Sequence, residues 1–577
     1  MNDSRDALDA VYATLDDLLQ FAADRLGLDP RDLAWTRNRL LDELDLPSYR
    51  HVGVDGQPAG HADATGSSAG PDELADRLWH AMVAAGLAGE TAADNATPGR
   101  WTKQSLTDVV FGILSLPPSA LDDRFAAVEA DRGAMAAMDM LYRYSVDNTY
   151  VKLAQLERNP RFDSHGLTIT INLAKPEFKT MKSAAAGNAV GDGYPACTIC
   201  RDNEGFAGRD KRTLRTVPVT LDGNPWFWQF SPYGYFHQHG ICVNDDHVPM
   251  HVDRRTFARL LDFVDRFPGY FLGCNAALPR IGGSVLAHDH YQGGGEPLPM
   301  FRAATTGTYR PGTCRPATSA GEDVPRNGDP AGGAASDSAV VVETLDWPGT
   351  AVRVVSRSRD AVVETAETIR QGWVAYDNPA IGILHADADG PRSAVSPSVL
   401  KTSRGYEMML IFRNNAVSDE YPLGVFHAHP EYWPVKQEPI GLIEAQGLFV
   451  LPGRLVEQLG ILEDALVTGG LLAELPEPVG EFTLVWTEVR DRLATAGSFD
   501  RPAVRAALRD ELGAVCYRIL ENTAVFKTPE LMDGFLRSLG FVGGEAGNMN
   551  DSCDDGKPGE GAGRTVDDDP DNERGPR

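Results

Sequence analysis

Cysteine is scarce in this chain, with seven in 577 residues, an odd and thinly spread set that argues against a disulfide framework. Long apolar runs are missing too. No uninterrupted apolar stretch approaches the roughly 20 residues needed to cross a bilayer, and the opening Met1-Asn2-Asp3-Ser4-Arg5-Asp6 is polar with no apolar signal core behind it. The expectation is a cytoplasmic protein without a membrane anchor. Positive charge is also in deficit: 54 Lys and Arg stand against 82 Asp and Glu, a formal charge of −28. Nucleic acid and anionic membranes would be repelled over most of such a surface, so neither is an expected partner. A small anionic substrate would need a locally basic pocket. Residues 171–220 carry such an excess, eight basic side chains (Lys175, Lys179, Lys182, Arg201, Arg209, Lys211, Arg212, Arg215) against five acidic ones. Most of these side chains fit an ordinary solvated loop, and one or two would suffice for a phosphate site.

What the chain does contain is an ordinary 42% of hydrophobic residues and length for about two to four domains. Residues 4–48 repeat apolar side chains at helical spacing (Leu8, Val11, Leu15, Leu18), and after a Gly/Ala/Asp-rich gap helical patterning resumes to about residue 157. This predicts an α-helical N-terminal domain over 1–160. From Leu167 the texture changes to the alternation Leu167-Thr168-Ile169-Thr170-Ile171, a strand signature that opens a strand-rich region. The predicted organisation continues with a first catalytic half over 161–302, a disordered insertion over 303–338, a second half with C-terminal helices over 339–540, and a disordered acidic tail over 541–577. The fold class expected is α+β.

Chemistry concentrates in Gly282-Gly283-Ser284-Val285-Leu286-Ala287-His288-Asp289-His290-Tyr291-Gln292. If extended, this stretch sends His288, His290 and Gln292 to one face of a sheet and Asp289 and Tyr291 to the other. A neutral imidazole serves either as a metal ligand or as a nucleophile toward phosphorus, and a carboxamide can donate to an oxygen gaining charge. The plain alternative is a pair of structural histidines. Upstream, Cys197-Thr198-Ile199-Cys200 has the spacing that turns two thiolates toward one ion, with a redox pair or two unlinked thiols as alternatives. Further on, Phe426-His427-Ala428-His429-Pro430 echoes the first His-x-His and suggests a duplicated half, whereas His237 and His239 form a third His-x-His expected to be structural.

The stretch His288-Asp289-His290-Tyr291-Gln292-Gly293-Gly294, with Asn224-Pro225-Trp226-Phe227 ahead of it, resembles the galactose-1-phosphate uridylyltransferases of the histidine-triad superfamily, in their second bacterial class. The resemblance covers about residues 140–300 and 340–460. It implies two histidine-triad-like antiparallel half-domains with flanking helices. It also implies transfer of UMP from UDP-glucose to galactose 1-phosphate, yielding glucose 1-phosphate and UDP-galactose, through a uridylyl-histidine intermediate. His290 would be the nucleophile and Gln292 the phosphoryl donor, with Asn275, Ser284 and Glu444 contacting substrate. A structural zinc would be held by Cys197, Cys200, His247 and His288, and the protein would be a homodimer. By the same resemblance His427 and His429 match part of a second metal site, with packing as the alternative. Lys175, Lys179 and Lys182 stand where the other class has arginines, so the group that neutralises the diphosphate is open. Two other functions stay open on the residues alone: a nucleoside diphosphate sugar or dinucleotide phosphorylase using the same histidine, and a non-catalytic sugar-nucleotide-binding protein.

Overall fold

The computed structural model describes residues 2–51, 69–89, 100–173, 193–282, 285–312, 339–388 and 390–545. Six helices come first: α1 (Asn2–Phe21), α2 (Leu33–Glu43), α3 (Pro71–Ala84), α4 (Lys103–Leu114), α5 (Pro118–Arg132) and α6 (Ala134–Asp147), with the single turn α7 (Leu153–Leu156) after them. Their boundaries follow local chemistry. Pro71 and Pro118 open α3 and α5, where a fixed φ suits the first turn, and Thr102 caps α4 by accepting from Ser105 N–H. Val11, Leu15 and Leu18, the helical stripe legible in the sequence, are fully buried. Among the described residues, no helix is long and apolar enough to cross a membrane.

The rest of the chain builds sixteen strands: β1 (Arg161–Ser164), β2 (Leu167–Asn172), β3 (Val217–Leu221), β4 (Asn224–Phe230), β5 (Gly240–Asn244), β6 (Phe271–Gly273), β7 (His290–Gly294), β8 (Thr305–Pro311), β9 (Val341–Leu345), β10 (Ala351–Ser356), the two-residue pair β11 (Ala386–Asp387) and β12 (Gly390–Pro391), β13 (Ser393–Thr402), β14 (Gly405–Asn414), β15 (Leu448–Pro452) and β16 (Phe541–Glu545). Eleven of them form one antiparallel sheet in the order β16-β8-β9-β10-β14-β13-β6-β7-β5-β4-β3. Helix α8 (Arg254–Arg266) lies between β5 and β6 in sequence, and α9 (Arg359–Val374) between β10 and the β13–β14 hairpin. The architecture is therefore α+β.

Strand alternation divides the core between the two faces of this sheet. Leu272, Tyr291, Val399, Met408 and Leu410 pack with Leu260 and Phe263 of α8 and Val362 and Ile369 of α9. Phe271, Met409 and Ile411 point the other way. They pack with Leu442 and Ile443 of the turn α10 (Leu442–Ala445), with β15, and with helices α11 (Leu455–Thr468), α12 (Thr483–Ala496) and α13 (Arg501–Thr523). A second sheet, β1-β2-β15, pairs β2 with β15 in parallel. Helix α14 (Pro529–Ser538) leads into β16.

Two predicted disordered stretches contain strands. Residues 303–338 begin with β8, and 541–577 begin with β16, which pairs with β8 from Phe541↔Pro311 to Glu545↔Gly307. Both are poor in large apolar residues, so composition hides them. Their order comes from main-chain pairing and a few anchors, namely buried Tyr309, whose hydroxyl donates to Asp533 at 2.9 Å, and buried Phe541. The remainder of each stretch, 313–338 and 546–577, lies outside the described residues. Within the second predicted half, strands β9 and β10 give way at Arg359 to α9.

Glycine is required where β6 meets β7. A Cβ at Gly293 would stand 1.9 Å from the Phe271 carbonyl oxygen, a backbone atom that cannot swing aside. Gly293→Ala is expected to cost at least about 1–3 kcal/mol through forced separation of these strands, read as a lowered urea midpoint.

Candidate active site

Strand β7 begins at His290, so the alternation expected from residue 288 holds only from there, and His288 sits just ahead of the strand. The division of side chains is kept. Asp289 and Tyr291 face α8, where Arg259 Nη1 lies 3.4 Å from Asp289 Oδ2 and 3.4 Å from the Tyr291 hydroxyl. Tyr291 also stacks on Trp226, ring centroids 4.8 Å apart. Gln292 pairs with Ile241 on one side and Gly273 on the other, so its side chain projects from the opposite face.

His288 is held at two ring atoms. Nε2–H donates to the Asn244 carbonyl at 2.8 Å, which leaves Nδ1 unprotonated and 3.3 Å from Cys197 Sγ. Burial pulls its pKa down to about 4, so the ring is neutral near pH 7. His247 Nδ1 lies 3.4 Å from Cys200 Sγ, and its ring stacks on that of His288 at 4.1 Å. The loop bearing His247 is tied down by Asp289, which donates its N–H to Val248 O at 2.7 Å and accepts from Asn244 N–H at 3.0 Å. The four donor atoms of Cys197, Cys200, His247 and His288 all fall within 4.8 Å of one another. Two sulfurs and two imidazole nitrogens at this spacing could hold a metal ion with all four positions filled by protein.

The thiol turn has supports that sequence reasoning missed. Asn203 Nδ2 donates to the carbonyls of both Cys197 and Cys200 at 2.9 Å. Arg209 reaches the carbonyls of Pro195 and Cys197, and Lys211 that of Thr198. Arg215 bonds to Leu116 O at 2.6 Å, and Arg201 pairs with Asp245 at 2.8 Å. These four members of the basic stretch serve as struts rather than as a phosphate cradle. Lys175, Lys179 and Lys182 lie outside the described residues, as does Ser284.

His290 is buried, and its Nδ1 is 2.8 Å from the His288 carbonyl oxygen. A carbonyl only accepts, so Nδ1 carries the proton and Nε2 keeps its lone pair. Burial also holds its pKa below the ordinary histidine value. Asn275, two residues past β6, accepts the Leu442 N–H at 2.9 Å through Oδ1, leaving its Nδ2 to donate. The same loop brings Glu444, which accepts from Gly441 N–H and from Lys436 Nζ, each at 3.2 Å. Lys436 is buried, a condition that opposes its charge, but Glu444 and Glu438 outweigh this and raise its pKa. The loop fits closely because Gly282, at φ +109, packs on Gly441, where a Cβ would come 2.7 Å from the Gly441 Cα. Asn275 and Glu444 are thus neighbours, and Lys436 is a partner that sequence reasoning did not single out.

The other two His-x-His pairs sit in different settings. His427 and His429 lie in a loop after β14, not on a strand equivalent to β7. His427 Nδ1 donates to Ala428 O at 3.0 Å, and His429 stacks on Tyr421 at 4.0 Å. Neither belongs to a metal-competent group among the described residues. Of the third pair, His237 is exposed against Tyr142, whereas His239 is buried on the Gln292 face of the sheet.

Among curated proteins, the chain is 59% identical over 541 residues to the galactose-1-phosphate uridylyltransferase of Bifidobacterium longum, a match spanning 93% of this chain and 99% of that one. This chain belongs to the galactose-1-phosphate uridylyltransferase family. It is also 32% identical to the Bacillus subtilis uridylyltransferase over 544 residues, 92% of this chain and 98% of that one. The Halalkalibacterium halodurans uridylyltransferase matches at 32% over 531 residues, 90% and 96% of the two chains. No family model matches the chain, and no solved structure does.

Within this uridylyltransferase family member, the back of the His-x-His strand rests on a buried ion pair. Asp289 has no exposed side-chain surface, and burial lifts its pKa to about 6 despite Arg259. Arg259→Met leaves that carboxylate unpaired and is expected to cost about 3 kcal/mol. Adding Asp289→Asn should return most of it, as measured by denaturant unfolding of the single and double variants at pH 7.5.

Proposed function

We propose that this chain exchanges UMP between UDP-glucose and galactose 1-phosphate in two steps, with His290 carrying the uridylyl group between them. The observation that carries this reading is the 2.8 Å bond from His290 Nδ1 to the His288 carbonyl, which leaves Nε2 as the nucleophilic nitrogen of a buried, neutral ring. Nε2 attacks the α-phosphorus of UDP-glucose. The bond from that phosphorus to the bridging oxygen breaks, and its electron pair leaves with glucose 1-phosphate. The loaded ring is a cation whose proton stays on Nδ1 and is donated to the His288 carbonyl. A phosphate oxygen of galactose 1-phosphate then attacks the same phosphorus, releasing UDP-galactose and returning His290 to its starting form.

The supporting roles of Gln292, Asn275 and Glu444 draw support from their placement, and that of Ser284 rests on the family resemblance alone. Gln292 directs its amide toward the phosphoryl oxygens, Asn275 donates through the Nδ2 left by its bond to Leu442, and Ser284 contacts the phosphates. Glu444 accepts from sugar hydroxyls. On the same sheet face, Ser396 Oγ, Gln446 Oε1 and Arg413 Nη1 are buried without hydrogen-bond partners among the described residues, which suits a polyhydroxylated ligand. Zinc is the ion that the two sulfurs and two imidazoles suit, and it would lock the segment ahead of His290. Lys175, Lys179 and Lys182 are the remaining basic side chains of the 171–220 stretch suited to the diphosphate.

We further read the large sheet as two histidine-triad-like halves. The order β3-β4-β5-β7-β6 with α8 before β6 is repeated by β8-β9-β10-β14-β13 with α9 before β13, and the halves meet at β6–β13. In this reading the halves are 161–302 and 339–540, the second joined by β8 from the stretch expected to be an insertion, after a helical domain over 1–160. The protein acts as a cytoplasmic homodimer.

Incubation with UDP-glucose labelled in the uridine should place acid-labile label on His290. His290→Ala should carry none, and Gln292→Ala should slow loading by about 100- to 1,000-fold. An unlabelled native protein, or undiminished label in His290→Ala, would overturn the mechanism. Purified protein is expected to hold about one zinc per chain, detected by elemental analysis. Cys200→Ala should lose it, and Asn203→Ala should weaken its retention against a chelator by about 10- to 100-fold.

A further inference from the structure

His239 was expected to be a structural histidine, yet it occupies an unusual position. It precedes β5, whose register sets Gly240 opposite Gly293 and Ile241 opposite Gln292. Alternation therefore puts His239 on the Gln292 face, diagonal to Gln292 across the strand pair and opposite Gly294, which has no side chain to come between them. The ring is wedged between Tyr235, stacked at 5.0 Å, and Phe236, tilted at 4.7 Å. Only 5% of the residue is exposed, and neither Nδ1 nor Nε2 has a hydrogen-bond partner of ordinary geometry among the described residues.

A purely structural histidine would satisfy its nitrogens. Leaving a buried polar atom unpaired costs about 1–3 kcal/mol, and here two such atoms share one ring. The polar side chain that acts on this ring is Gln292, close enough to oppose the effect of burial, which brings the His239 pKa to about 4 and keeps the ring neutral. A neutral imidazole presents one N–H donor and one bare nitrogen, and a carboxamide presents an oxygen and an NH2 group. Only one arrangement of these groups helps phosphoryl transfer. If the imidazole donates to the carboxamide oxygen, the NH2 is turned outward to donate to the phosphoryl oxygens. Without that bond the amide is free to flip and present its oxygen to an anion.

We propose that His239 is a positioning residue for uridylyl transfer, donating from its ring to Gln292 Oε1 and so fixing the Gln292 NH2 toward the phosphoryl group on His290. The inference rests on the role given to Gln292 above. It makes His239 part of the amide's orientation and gives it no contact with the reacting atoms.

The test uses the full-length protein and single-turnover loading of His290 from UDP-glucose, with KM and thermal unfolding measured in parallel. His239→Phe keeps an aromatic ring and removes both nitrogens. Its loading rate should fall by about tenfold or more with KM little changed. His239→Gln, which restores a donor, should recover part of the loss. Adding His239→Phe to Gln292→Ala should slow loading no further, because the group it orients is already gone. A native loading rate in His239→Phe, or losses that multiply in the double variant, would overturn the proposal. Should His239→Phe fail to fold, His239→Ala combined with Gln292→Ala decides on the same criterion. A native rate in Gln292→Ala alone would instead overturn the role of Gln292, so the two failures are told apart.

Discussion

One residue's two polar ends set the geometry of the site. The ring of His288 is pinned between the Asn244 carbonyl and the Cys197 sulfur, while its own carbonyl oxygen receives the Nδ1 proton of His290. Ring and carbonyl belong to one short stretch of backbone, so anything that immobilises the first also aims the second. The tautomer of His290 and the direction of its free lone pair follow from that coupling. Asn203, Arg209 and Lys211, which brace the thiol turn through its carbonyls, are in this sense remote supports of His290.

The two faces of the His-x-His strand are built on opposite principles. Behind it, Asp289 and Tyr291 share a single guanidinium against a wall of aromatic rings. In front, polar atoms on Ser396, Gln446, Arg413 and His239 are buried without hydrogen-bond partners of ordinary geometry among the described residues. Unpaired polar atoms reduce the stability of the protein alone and favour the bound state, where a ligand rich in oxygen supplies the partners. The closed back gives the strand a rigid support from which the open front can act.

Much of this was legible before any coordinates. The Cys197/Cys200 pair, the exchange of faces along 289–292 and the helical start follow from spacing and residue type, His247 and His288 were implied as further ligands by the family resemblance, and in the structure Cys197, Cys200, His247 and His288 do converge. What escaped was whatever depends on tertiary pairing. Strands β8 and β16 have almost no apolar signature because each is ordered by its neighbour's main chain. His427-x-His429 copies the letters of the motif but not its setting, because periodicity cannot report that β14 has already ended. His239 looked unremarkable for a similar reason, since its significance lies in a cross-strand diagonal that no local pattern encodes.

The pairing of β15 with β2, and of β16 with β8, makes two strands wait for partners far downstream in the chain. Strand β2 has no parallel partner until nearly half the chain beyond it has emerged, and the Gln292 face remains uncovered over the same interval. A ribosome-bound nascent chain would therefore hold this face open to solvent and to chaperones until β15 and helices α11 to α13 have emerged. Loss of β16 would strip an edge of the large sheet, whereas loss reaching back to β15 would open the face that carries Gln292.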